Sequence, residues 1–214
     1  MTLSVCTATK LEQELLKTLD IPSGMNVNWH VHGIGCMMAG IHLSALLQNK
    51  PDILIQCGLA GAYTENLRIG ESVIVQTECM GDTGAEDHDQ LLDLYDLGLL
   101  GQSDSPFVLG KLPNHHNTLF PPNMRLVNGL SVNLTAGSIE TIQKRKAKFN
   151  PDIETMEGAA LHYVGLIHHI PFIQLRTISN RVLPRDKSLW DIPKALEENR
   201  NALGQLFQHL YTLI

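Results

Sequence analysis

The chain has 214 residues, of which 43% are hydrophobic and 18% charged, and it carries a formal net charge of −6. These values fit a globular α/β protein with room for a sizeable core, and an acidic balance without a basic stripe argues against nucleic acid as a partner. No stretch approaches the roughly 18 apolar residues of a membrane span, so no membrane association is expected. Residues 1–7 lack the basic start of a secretory leader and read as a strand, which points to a cytoplasmic protein. Cys6, Cys36, Cys57 and Cys79 are widely spaced in apolar, strand-like contexts, and read as reduced core residues rather than metal ligands.

Residues 3–8 predict a buried strand. Thr9 then stands at a helix N-cap position, and Glu12 three residues on completes a capping box. That alone accounts for Glu12 without any function. Leu11, Leu15, Leu16 and Leu19 are expected to form the apolar face of this helix, and Pro22-Ser23-Gly24 ends it. Residues 27–32 give a second strand. Gly33-Ile34-Gly35 opens a helix carrying Gly40, His42, Ala45 and Leu46. It is only loosely like a dinucleotide fingerprint, because the third glycine is misplaced and the acidic residue after the next strand is missing. Residues 53–57 are apolar on both faces, as in a central strand. Gly58-Leu59-Ala60-Gly61-Ala62 follows, either as a turn or as small residues that let backbone N–H groups approach a ligand. Residues 70–75 give another strand.

From 80 to 130 the chain is polar and loop-rich. Asp82, Glu86, Asp87, His88 and Asp89 match neither an EF-hand loop nor a zinc pattern, so the segment reads as a solvated loop or a lid without metal. Residues 127–134 return to strand character, Ala136-Gly137-Ser138 turns, and residues 141–149 form a basic amphipathic helix. Residues 153–161 deliver Met156-Glu157 to the start of a helix packed through Gly158 and Ala159. A glutamate in that position is favoured by the helix dipole and needs no further role. Residues 171–180 form a strand with polar groups at its carboxyl end, where open α/β sheets place their sites. Residues 185–190 read as an exposed connector. Asp191 or a neighbour caps the last helix, with Leu196, Leu203, Leu206, Phe207 and Leu210 as its buried stripe. Strands alternate with helices and no linker interrupts them, so residues 1–214 are expected to form one α/β domain.

Three segments, taken in order, resemble one family: Ala8-x-x-x-Glu12, Gly58-x-Ala60-Gly61, and Met156-Glu157 followed by Arg176-x-x-Ser179-Asn180. The family is the nucleoside phosphorylase and nucleosidase superfamily, on its methylthioadenosine/S-adenosylhomocysteine nucleosidase branch. Within that branch the chain is similar to the futalosine hydrolases, through Asp82-Thr83-Gly84-Ala85-Glu86 and through Ser179-Asn180 followed by Pro184-Arg185-Asp186-Lys187-Ser188-Leu189-Trp190. Those enzymes of menaquinone biosynthesis cleave futalosine with water to hypoxanthine and dehypoxanthine futalosine. The resemblance implies a mixed central sheet flanked by helices in three α/β/α layers. It also implies a small nucleoside substrate, no cofactor, and a homodimer or higher homo-oligomer. Carried over by position, Glu12 would activate water and Glu157 would accept hydrogen bonds from the ribose hydroxyls. Met156 would pack on the sugar, Arg176 would hold the water and orient a carboxylate, Ala60 and Gly61 would line the site, and Ser179 and Asn180 would meet the substrate.

Cleaving an N-ribosidic bond builds positive charge on the ribose and negative charge on the departing base, so one face needs activated water and the other needs help for the leaving group. Adenine-specific relatives carry aspartate at position 180. Asparagine donates two hydrogens and accepts at one oxygen, which suits N7 and O6 of a 6-oxopurine; as a simple turn residue it would need no such role. Glu12 beside a phosphate dianion would repel it by roughly 4 kcal/mol at 4 Å and an effective dielectric of 20, which favours water as nucleophile. Lys10 keeps phosphorolysis open. A methylthioadenosine/S-adenosylhomocysteine nucleosidase, a 6-oxopurine phosphorylase and a non-catalytic nucleoside-binding protein remain as alternatives. Arg185, Lys187, Lys111 and Arg68 are the candidates to grip a carboxylate on the substrate's tail.

Overall fold

The computed structural model describes residues 1–88 and 90–213; Asp89 of the acidic segment lies outside them. Its first strand, β1 (Thr2–Thr7), is buried on both faces from Leu3 onward. It lies between β2 (Asn26–Val31) and β3 (Ile53–Ala62) and is parallel to both. The other strands are β4 (Ser72–Met80), β5 (Gly84–Asp87), β6 (Gln90–Asp93), β7 (Leu112–Pro113), β8 (Arg125–Ser131), β9 (Ile153–Thr155) and β10 (Phe172–Arg181). The α-helices are α1 (Lys10–Leu16), α2 (Cys36–Leu46), α3 (Ile139–Phe149), α4 (Gly158–Ile167) and α5 (Ile192–Tyr211).

The main sheet runs β10-β4-β8-β9-β3-β1-β2, and β10 pairs with β3 as well. Strands β3, β10, β4, β8 and β9 therefore close into a ring, from which β1 and β2 extend as an open wing. The sheet is mixed: β10–β3, β4–β8 and β8–β9 are parallel, while β10–β4 and β3–β9 are antiparallel. Alternate side chains divide the layers. Leu3, Val5, Ile55, Ile173 and Leu175 pack with Leu16 of α1 and Leu203, Leu206, Phe207 and Leu210 of α5. On the other face, Cys6, Leu54 and Phe172 pack with Ala39 and Leu43 of α2 and Leu161 and Val164 of α4. Each such Leu or Ile contributes roughly 1.5–3 kcal/mol on burial. A further cluster, including Ala60, Val75, Val127, Ile153 and Ile178, draws on all five strands of the ring.

Three expectations change. Gly58-Leu59-Ala60-Gly61-Ala62 is the second half of β3, not a turn, because β10 hydrogen-bonds alongside it as far as Ala62. On the opposite edge β1 leaves β3 after Gln56 and β9 joins at Gly61, so among the described residues the stretch between has no ladder partner there. Leu11 is 66% exposed. The capping box fixes the rotation of a seven-residue helix that buries Gln13 and Leu16 and turns Leu11 outward. Residues 84–87 form a strand of an exposed hairpin with β6, tied to α3 by Lys144–Glu86 at 3.1 Å and Lys148–Asp93 at 3.2 Å, rather than a free loop or a lid. Asp82 accepts from the backbone N–H of Asn133 and Leu134, which gives it a structural task. Among the described residues there is no group of three His, Cys, Asp or Glu placed to hold a metal ion, and no helix is long and apolar enough to cross a membrane.

Candidate active site

Glu12 is fixed by the start of its own helix. Thr9 is extended at the N-cap; its N–H and its hydroxyl donate to Glu12 Oε2 at 2.8 and 2.7 Å, and its Oγ1 accepts from the Glu12 N–H. With Oε2 held, Oε1 faces β3, 3.3 Å from where a Cβ on Gly58 would lie. The structural role of Glu12 as a cap partner thus also aims it at the strand. Burial pushes its carboxyl pKa above the ordinary value, partly offset by the Thr9 hydrogen bonds and the charge of Arg176.

Glu157 occupies the N-cap position of α4. Its Oε1 accepts from the Gly35 N–H at 3.1 Å, and its Oε2 lies 3.6 Å from Arg176 Nη2. Gly35 sits at the entry to α2 with φ +86°, a backbone state that a residue with a Cβ rarely adopts. Arg176 projects from the middle of β10 and is 2% exposed, so its charge needs partners. Besides Glu157, Nη2 donates to Gln56 Oε1 at 2.5 Å. His32 Nδ1 lies 2.7 Å from the Gly33 carbonyl, which can only accept, so Nδ1 carries the proton and Nε2 accepts from Gln56 Nε2 at 3.1 Å. Burial lowers the His32 pKa to about 4, which keeps the ring neutral in this chain of contacts. Sequence reasoning passed over Gln56; the signal was an amide inside an otherwise apolar strand.

Glu78 was missed in the same way. It stands fully buried on β4 below the start of α4. It accepts from Gln174 Nε2 at 2.8 Å, Ser131 Oγ at 3.0 Å and Thr155 Oγ1 at 3.2 Å. Ser131 Oγ in turn accepts from the Ala159 N–H at 2.8 Å, so the network braces both sides of Met156-Glu157. Burial raises the Glu78 pKa to about 7.

At the end of β10 the register with β3 shifts between Ile178 and Asn180, so Ser179 is an extra residue and Asn180 pairs with Gly61. Such a bulge re-aims a side chain. Asn180 Nδ2 donates to the Arg181 carbonyl at 2.8 Å, and its Oδ1 accepts from Ser179 Oγ at 2.8 Å. A Cβ on Gly61 would lie 2.9 Å from Val182 Cγ2 and 3.2 Å from Asn180 Nδ2, so a larger residue there would displace the amide.

Glu12, Glu157, Arg176 and Asn180 meet at one cavity of about 290 Å³, with Gln56, His32 and Glu78 behind its wall. Its wall contains Glu12, Ala60, Gly61, Met156, Glu157, Arg176, Ser179 and Asn180, together with Ile34, Glu154, Leu183, Arg185 and Trp190, which were not assigned a site role from sequence or were left among alternatives. Glu154 is tied by Arg145 Nη1 at 3.1 Å and the Tyr63 hydroxyl at 2.5 Å. Lys10 is exposed and is not part of the wall, nor are Arg68, Lys111 or Lys187. Chemically the wall offers the half-buried Glu12 and the buried Glu157 on either side of Arg176, and an amide at the far end of the same strand.

Residues 14–212 match the phosphorylase superfamily. The chain belongs to this superfamily. It is 28% identical over 161 residues to the futalosine hydrolase of Streptomyces coelicolor, which covers 75% of this chain and 67% of that protein. It is 30% identical over 173 residues to the 5'-methylthioadenosine/S-adenosylhomocysteine nucleosidase of Maridesulfovibrio salexigens, covering 75% and 70%. Its fold is similar to that of the S-adenosylhomocysteine nucleosidase of Streptococcus pyogenes in complex with 5-methylthiotubericidin, with a TM-score of 0.80 at 19% identity over 100% of this chain and 98% of that one. By this kinship the chain is a nucleosidase, an enzyme that hydrolyses an N-glycosyl bond.

Proposed function

We propose that this nucleosidase cleaves futalosine with water and releases hypoxanthine, a step of menaquinone biosynthesis. Asn180 carries the reading. Of the two hydrogens on Nδ2, one is used by the Arg181 carbonyl, and the other is free for an acceptor such as N7 or O6 of a 6-oxopurine. An ionised aspartate in the same pose would set a carboxylate oxygen against that carbonyl at 2.8 Å, so it would have to be protonated. A neutral amide avoids this requirement.

Glu12 takes a proton from the attacking water. Its Oε2 is anchored by Thr9 and its Oε1 is directed inward, and a pKa raised by burial makes it a stronger base than an ordinary carboxylate. Glu157, held by Gly35 and Arg176, accepts from the ribose hydroxyls, and its charge stabilises the oxocarbenium-like transition state. Met156 packs on the sugar, and Ala60 and Gly61 keep β3 close to the base. Arg176 holds Glu157 and helps orient the water, and is itself held by Gln56. Arg176 and Arg181 are engaged within the protein and Lys10 stands away from the wall, which favours water over phosphate. The same reading includes one domain, a cytoplasmic location and a homodimer or higher homo-oligomer, for which the exposed Ile34, Met37 and Ile41 offer an apolar face.

Identity of 30% to a methylthioadenosine/S-adenosylhomocysteine nucleosidase favours a second reading, with adenine as leaving group. Base release from futalosine, inosine and methylthioadenosine, each with and without phosphate, separates the two. Phosphate-independent hypoxanthine from futalosine is the expected result. Adenine from methylthioadenosine, with no hypoxanthine from futalosine, would overturn the assignment of Asn180.

A further inference from the structure

We propose that Arg185, held over the ring of Trp190, forms an anion-recognition site at the rim of the cavity, built for a carboxylate on a flat, aromatic substituent of the nucleoside. The proposal deepens the nucleosidase reading; it does not depend on which base leaves.

Both side chains line the cavity, and the Arg185 guanidinium carbon lies 5.5 Å from the centre of the Trp190 ring. A cation over a ring face is held without hydrogen bonds, and among the described residues no hydrogen bond engages the Arg185 guanidinium, which leaves its N–H fork able to meet a carboxylate with two parallel hydrogen bonds. Among the described residues no carboxylate stands in ion-pair range of Arg185. The nearest acid in sequence, Asp186, is turned away: its Oδ1 accepts from the N–H and hydroxyl of Ser188 at 2.9 and 2.6 Å. The other two arginines of the wall are committed. Arg176 serves Gln56 and Glu157, and Arg181 donates to the carbonyls of Thr64 and Glu65.

The loop bearing the pair is fastened at both ends. Val182 N–H donates to the Ala62 carbonyl at 2.9 Å, and Asp191 N–H donates to the Ser179 carbonyl at 2.9 Å. Leu183 is 49% exposed beside the pair and supplies apolar surface for a ring. Deeper in, Glu154 and Glu157 are paired with Arg145 and Arg176, so the interior keeps no uncommitted cation for an anionic substituent, and Arg185 at the rim is the one that can receive it. Of the four basic residues considered from sequence, Arg185 is the one on the wall.

Two measurements test the site. The first compares kcat/KM for futalosine and for inosine in the wild type, Arg185→Gln and Arg185→Lys. The ratio of the two constants should fall about 10- to 100-fold in Arg185→Gln, mostly through KM for futalosine, with a smaller fall in Arg185→Lys, which keeps charge but loses the fork. A ratio within about twofold of wild type in both variants would overturn the proposal. The second uses the fluorescence of Trp190, since the chain's only other tryptophan, Trp29, packs on Phe207. Benzoate at fixed ionic strength should quench it saturably and benzamide should not, and Arg185→Gln should abolish the difference. Equal quenching by benzoate and benzamide in the wild type would overturn the proposal. This arm reads the rim without turnover. If the wild type releases no base from futalosine, the functional reading fails while the benzoate titration still decides the rim site.

Discussion

Gly58→Ala probes the centre of the site with one methyl group. The added Cβ would lie 2.4 Å from Arg176 Nη1 and 3.3 Å from Glu12 Oε1. An unstrained contact between such atoms is roughly 3.5 Å, so the guanidinium must retreat by about 1 Å. It has little room, being 2% exposed and held between Gln56 and Glu157. Weakening a charge-assisted hydrogen bond costs about 1.5–3 kcal/mol. At about 2–4 °C per kcal/mol for a chain of this size, thermal unfolding followed by circular dichroism should shift down by about 3–12 °C. The effect on turnover should be larger, because a displacement of about 1 Å in a positioned group costs about 100-fold. Base release at saturating nucleoside should therefore fall about 100-fold at a temperature where the variant is fully folded. A folded variant that keeps kcat within about threefold of the parent would refute the placement of Arg176 and Glu12 at the reacting centre.

Glu12→Gln should lower kcat by about 100- to 10,000-fold while retaining the cap on α1. Glu12 acts as the ionised form and its pKa is raised by burial, so wild-type kcat should fall as pH drops through a value above the ordinary carboxylate range. A pH profile of both proteins checks this; an acid limb that persists in Glu12→Gln assigns that limb to another group. Glu78 predicts a pH dependence of stability with the opposite slope. Its folded pKa of about 7 exceeds the ordinary 4.5, so the folded state binds the extra proton between those values and stability declines as pH rises through that window. The difference of about 2.5 units corresponds to at most about 3 kcal/mol. Denaturant unfolding from pH 4.5 to 8 should show this decline in the wild type, and Glu78→Gln should remove it; an identical slope in both proteins would mean that Glu78 does not titrate there.

Local rules carried much of the sequence reading. The capping box at Thr9 and Glu12 is a short-range device and is visible in four residues. Glu157 ahead of Gly158, and the polar end of β10, follow from helix and strand patterns of similar range. What escaped depends on partners distant in the chain. A turn stayed open at Gly58 to Ala62 because glycine weakens a strand on its own, and the pairing with β10 runs alongside the extended stretch. Gln56, Gln174 and Glu78 sit in apolar strands, and their partners lie 24 to 120 positions away. The bulge at Ser179 has no composition signal, since it is a shift of register between two strands more than 100 positions apart in the chain. The hairpin of β5 and β6 was hidden by its acidity, which reflects its docking to lysines of α3 rather than solvation alone.

The closed circuit of β3, β10, β4, β8 and β9 has a mechanical consequence. In an open sheet one strand can slide along its neighbour at the cost of a single ladder. Here a slip of β10 past β3 would also drag its pairing with β4, and through it those of β8 and β9. Gly61 and Asn180, on the two sides of the β3–β10 seam, are therefore clamped against each other by the whole loop of strands. The place of the amide on the cavity wall is set by strand topology, whereas Glu12 and Glu157 are set by the starts of their helices.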